Sequence, residues 1–166
     1  TAIDKSGNAI METAHFSFKS LPGEETYQEL AVMLVQQVTK ETMTVQQKIK
    51  ALYDYLYGRM YYGPSYDGED WENEARLVLR RLLNENGTIN GDCFTSAALA
   101  RAVLDAVGAD TRWLHNYGEA EGITNHVWIL CNVGTGWYHF DLTHFDTNVQ
   151  HFMATDADLE EYMKRY

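Results

Sequence analysis

The sequence predicts an α+β domain, with helices first and an antiparallel sheet after them. Three observations lead there. Apolar residues in the first two thirds recur at intervals of three and four. Strand-like segments fill the last third, two of them joined by Gly134-Thr135-Gly136. Between the two regions, Cys93 opens a helix so apolar that neighbours must cover it on every side.

The elements follow in order. Residues 14–20 alternate and suggest an edge strand, broken at Pro22-Gly23. From Thr26, the positions of Tyr27, Leu30, Ala31, Leu34, Val35 and Val38 predict a helix with one apolar face. Thr44 reads as the N-cap of a second helix, with Gln47 at the capping-box position. That helix carries Val45, Ile49, Leu52, Tyr53 and Leu56 inward and ends near Gly58. Residues 59–70 are turn-rich and aromatic, and read as irregular. A third helix runs from Trp71 to Leu83 with Trp71, Ala75, Leu79 and Leu82 or Leu83 inward.

A Gly/Asn loop over 84–92 then delivers Cys93. The helix it opens extends to about Val107, and Gly108 is its stop. Ala97, Ala98, Ala100, Ala102 and Ala106 predict close packing in the middle of the domain. Strands are expected over Thr111–Tyr117, His126–Val133 and Trp137–Leu142, and a short acidic helix near Asp156–Lys164. No repeat or internal boundary appears, so residues 1–166 read as a single domain.

Composition narrows the function. Of 166 residues, 45% are hydrophobic and 22% charged, a globular balance. The net charge of −11, with 24 acidic against 13 basic residues, argues against nucleic acid. Its only compact basic group is Arg76, Arg80 and Arg81. No apolar run is long enough to predict a membrane-spanning segment, and Thr1 to Ser20 lacks a signal-peptide pattern. A start at Thr1 suggests a piece of a longer polypeptide. Two cysteines make at most one bridge, and Cys131, mid-strand in an apolar run, reads as a buried hydrophobe.

Chemistry centres on Cys93, His126 and Asp141. A thiol at a helix start meets the positive end of the macrodipole and unpaired N–H groups, which favour thiolate. His126 is placed to take the thiol proton and return it to a leaving amine. Asp141 is placed to orient the imidazole through its other nitrogen. Each residue alone has a plain structural reading, as core filler, surface histidine or turn former. Their occurrence in segments able to converge points to acyl transfer.

Convergence carries a condition. His126 and Asp141 must share a sheet face, which demands an even number of connecting residues. Gly134-Thr135-Gly136 counts three, so a turn of another length or a glycine bulge is predicted. His139 shares the face of Asp141 if the strand is regular. A metal site from His139, His144, His151 and Asp146 is the competing constellation, though it lacks a ligand spacing such as His-x-x-x-His. His115 reads as core or rim. Trp128 and Trp137 read as packing around the catalytic face. Tyr57, Tyr61, Tyr62 and Tyr66 read as an aromatic cluster, either packed or walling a groove.

These residues resemble the bacterial transglutaminase-like superfamily. The likeness is carried by Gly91-Asp92-Cys93-Phe94, Gly108, His126-Val127-Trp128 and Gly136-Trp137-Tyr138-His139-Phe140-Asp141-Leu142-Thr143. The upstream helix from Met43 to Leu56 adds to it, so the motif-bearing core spans roughly 43–146. The resemblance implies Cys93 as nucleophile, His126 as base and Asp141 as orienter, in a papain-like core whose cysteine helix packs on an antiparallel sheet. It implies a peptide or protein substrate and a secreted or cell-surface location; no cofactor and no metal are expected. Val127 replaces the usual alanine, and Ile129 a frequent asparagine; both are expected to alter pocket shape. Tyr62 and Trp71 stand upstream as candidates for a side-chain oxyanion donor.

The expected function is thiol-dependent acyl transfer from a peptide or glutamine-type amide, as a peptidase, amidase or transglutaminase. Two alternatives remain. One is a non-catalytic binding or structural module of a bacterial surface protein, which a fully buried Cys93 would favour. The other is a metal-dependent hydrolase using His139 and His144.

Overall fold

A computed structural model describes residues 23–85, 87–116, 125–143 and 151–163. Helices α1 (Tyr27–Val38) and α2 (Val45–Tyr57) begin as the sequence predicts. Thr26 with Glu29 and Thr44 with Gln47 form reciprocal capping boxes that satisfy the first free N–H groups. Helix α3 runs Trp71–Glu85 and the cysteine helix α4 runs Cys93–Ala106. Gly108, with φ +83°, closes α4 by donating to Asp105 C=O, while Ala109 N–H reaches back to Leu104.

Strands β3 (Asp110–Asn116), β4 (His126–Asn132) and β5 (Trp137–Phe140) follow, then β6 (Phe152–Ala154) and α5 (Asp156–Met163). The four strands form one antiparallel sheet in the order β3-β4-β5-β6. Helix α4 lies between this sheet and helices α1 and α3. Its Ala97, Ala98, Ala100 and Ala102 are buried, which lets neighbouring backbones approach closely. The α+β class is therefore observed, with the cysteine helix packed on the sheet.

The hairpin parity resolves through turn length. Asn132 pairs with Trp137, so Val133 joins the glycines to make four connecting residues. Asn132 Oδ1 gathers the turn by accepting from Gly134 N–H at 2.8 Å and Gly136 N–H at 3.4 Å.

Three strands departed from expectation. Segment β1 (Met60–Tyr62) lies within the stretch read as irregular, and β2 (Ile89–Gly91) within the loop before Cys93. They pair in parallel, with Tyr62 opposite Gly91. Strand β6 was also unforeseen. Each has three residues, too few for alternation to register. On β6, Met153 adopts φ 50° where the register against β5 shifts, the mark of a bulge. The edge strand expected over residues 14–20 lies outside the described residues.

The close packing of α4 is testable. Ala98 is fully buried, so Ala98→Leu should destabilise by about 1–3 kcal/mol through overpacking. Urea unfolding checks this through a lowered midpoint at unchanged slope.

Candidate active site

Cys93 is the first residue of α4. Asp92 caps the helix, its Oδ1 accepting from Phe94 N–H at 3.0 Å and Thr95 N–H at 3.1 Å. The first intrahelical bond is Ser96 N–H to Asp92 C=O at 3.0 Å, so the Cys93 N–H stands ahead of the helical ladder. Its thiol is half-buried and outside any disulfide.

Gly91 has a steric reason to precede it. A Cβ at Gly91 would lie 2.5 Å from Thr95 Cβ and Cγ2, closer than van der Waals contact permits. Thr95 cannot retreat freely, because its hydroxyl donates to Glu74 Oε1. Glu74, on α3, is fully buried. It also accepts the backbone N–H groups of Tyr66 at 3.0 Å, of Asp67, and of Gly68 at 3.4 Å. One carboxylate thus ties the 66–68 loop to the first turn of the cysteine helix. Sequence reasoning missed Glu74. The available signal was its position on the inward stripe of α3, beside Ala75 and four residues before Val78.

His126 opens β4 and Asp141 follows the last residue of β5. The pairing register sets His126, Trp128, His139 and Asp141 on one sheet face. His126 Nε2 meets Asp141 Oδ2 at 2.7 Å, and the other carboxylate oxygen accepts Thr143 N–H at 2.8 Å. The Asp141 N–H donates to His151 C=O at 3.1 Å, fixing the backbone on β6's approach. With Nε2 committed to Asp141, Nδ1 is the ring nitrogen left for the Cys93 thiol, which lies near enough to act on the imidazole's titration. The Trp128 indole stacks on the imidazole, with centroids 5.2 Å apart and planes at 19°. Burial pulls the His126 pKa down, but hydrogen bonds to Asp141 and Cys93, reinforced by their charge, raise it to about 9.

The sequence-predicted Cys93, His126 and Asp141 side chains are therefore brought together. Other candidates are placed differently. His139 is buried between Trp128 and Asp156, and His115 is exposed on β3. His144 and Asp146, two of the four residues of the metal constellation, lie outside the described residues. Among the described residues there is no group of three or more His, Cys, Asp or Glu fit to hold a metal.

Val127 and Ile129, expected to shape the pocket, are buried in the core instead, because strand alternation turns them away from His126. The tyrosines do not cluster as expected either. Tyr57 stacks on Tyr53, while Tyr61 and Tyr62 are exposed on β1. Trp71 packs edge-on against Tyr27 and beneath the Arg101 guanidinium. Trp137 lies at the exposed end of the His126 face, with Arg112 4.3 Å over its ring. Cys131 is fully buried as expected, its thiol pushed up to about 11 by burial and lying 3.3 Å from Met153 Sδ.

The family model described as the transglutaminase-like superfamily matches residues 32–142, about two thirds of the chain, and spans Cys93, His126 and Asp141. No curated protein and no solved structure matches the chain.

Two outcomes follow. Glu74→Ala removes the acceptor of several buried donors and should cost on the order of 3 kcal/mol in urea unfolding. Because folding raises the His126 pKa from its ordinary 6.5, its stabilisation is present below pH 6.5 and lost as pH rises through about 9. Asp141→Asn should flatten that pH dependence, and NMR titration should show the His126 midpoint moving down.

Proposed function

We propose that this chain, which belongs to the transglutaminase-like superfamily, is an enzyme that transfers acyl groups from a peptide or glutamine-type amide through Cys93, His126 and Asp141. The single observation that carries the reading is the 2.7 Å His126–Asp141 bond, in an imidazole whose pKa the neighbouring Cys93 helps to raise.

The chemistry runs in two halves. Cys93 Sγ, as thiolate beside the His126 imidazolium, attacks the amide carbonyl carbon. The carbonyl electron pair moves onto oxygen, where the Cys93 N–H at the start of α4 is one donor. The collapsing intermediate expels the amine, which takes its proton from His126 Nδ1 and leaves a thioester on Cys93. Water or a second amine then attacks the thioester. Neutral His126 takes a proton from this nucleophile, and Cys93 leaves as thiolate.

Asp141 keeps the proton on Nε2 and the ring turned toward sulfur throughout. A raised His126 pKa supports this assignment, since the imidazolium persists at neutral pH. Of the two upstream oxyanion candidates, Tyr62 is favoured by its pairing with Gly91, whereas Trp71 is engaged by Tyr27 and Arg101. The half-exposed Cys93 thiol supports an enzyme over a non-catalytic module, which a fully buried sulfur would have favoured.

The test is alkylation followed by a substrate screen. At pH 6 the wild-type Cys93 should react with iodoacetamide well ahead of glutathione, and His126→Ala should slow it by roughly two orders of magnitude or more. Glutamine-donor and short-peptide substrates, read by ammonia release and by incorporation of a labelled amine, should turn over with wild type and not with Cys93→Ser. A wild-type thiol no faster than glutathione would sink the proposal.

A further inference from the structure

We infer that His139 is a positioning residue for the His126 imidazole, acting through Trp128. The inference rests on the catalytic reading of Cys93 and His126 above. An indole N–H can only donate, and Trp128 Nε1 lies 2.9 Å from His139 Nδ1. His139 Nδ1 therefore accepts, and the ring proton sits on Nε2, which faces Asp156 Oδ1 at 2.8 Å. Each link fixes the next. Asp156, at the first position of α5, accepts the His139 Nε2–H hydrogen bond, and His139 holds the indole edge. The indole, 6% exposed, presents its flat face to the imidazole at a nearly parallel 19°.

The Asp141 bond acts on the His126 ring at Nε2, within the plane of the imidazole. A stacked indole adds a restraint against tilt out of that plane and holds Nδ1 toward sulfur. The indole itself has few restraints other than packing, and a buried N–H without an acceptor would turn to seek one. Strand geometry makes the arrangement available, since residues 126, 128, 139 and 141 share a face and Trp128 lies diagonal to His139. No step of the acyl transfer requires His139 itself. Its two ring nitrogens are both spent on holding neighbours.

The test compares His139→Asn, whose side-chain oxygen can take the Nδ1 place, with His139→Leu, which offers no acceptor. The readout is the rate of Cys93 alkylation by iodoacetamide at pH 7, with peptide mapping to assign the label. His139→Leu should lose roughly tenfold, in keeping with the sensitivity of reaction rates to small misplacements, and His139→Asn should recover most of it. Trp128→Phe keeps a stacking ring but no N–H, so it should fall like His139→Leu, and the double variant should be no slower than either single one.

If His139→Leu does not fold, Trp128→Phe and His139→Asn still decide the matter. A Trp128→Phe protein alkylated at the wild-type rate would overturn the inference, as would His139→Asn falling as far as His139→Leu. A fast wild-type thiol indifferent to all these changes would overturn the role of His139 alone. A wild-type thiol no faster than glutathione would overturn the catalytic reading and this inference together.

Discussion

The contact between His126 Nε2 and Asp141 Oδ2 constrains the sheet that carries it. Because positions 126 and 141 are an odd number of residues apart, 15, their side chains share a face only if the connecting residues are even in number. The turn after β4 supplies four, closed by glycines at positive φ and gathered by Asn132. A one-residue change there would send Asp141 to the opposite face and the imidazole would lose its partner. The same pairing puts Val127, Ile129 and Cys131 into the core, so one register serves both the site and the packing beneath it. Site and core cannot be altered independently along this strand.

On the other side of the site, the cysteine helix is held by a different kind of contact. Glu74 receives donors from the 66–68 loop and from Thr95, and Thr95 fills the space beside Gly91. A buried carboxylate ringed by donors is costly to assemble and costly to disturb. Its directional bonds fix the first turn of α4 relative to α3, where apolar contacts alone would tolerate sliding. The glycine two residues before Cys93 is thereby explained without reference to substrate. It leaves room for a threonine whose hydroxyl is already committed.

The helices and the main sheet were legible because their signals are local and repeated. Capping boxes at Thr26 and Thr44, an apolar run ending at Gly108, and glycines between two alternating segments each specify an element within a few residues. Cys93, His126 and Asp141 were legible as a set because a helix start and two neighbouring strands can converge. The three-residue strands were not legible, since β1 and β2 exist only by pairing with each other across the whole of α3. Glu74 was hidden for a related reason. A lone acid on an apolar stripe reads as an interruption until the distant N–H groups that surround it are known. Val127 and Ile129 drew attention as departures from the family pattern expected to alter the pocket, and alternation in the strand turns both into the core.

The two sulfurs of this chain live in opposite surroundings. Cys131 is sealed in the sheet with its proton held tightly, while Cys93 sits half-open at a helix start. A thiol reagent added to the folded protein therefore addresses a single sulfur, and the second becomes available only when the sheet opens. Counting labelled sulfurs, one against two, turns this pair into an internal gauge that reads competence of the site and integrity of the fold from the same sample.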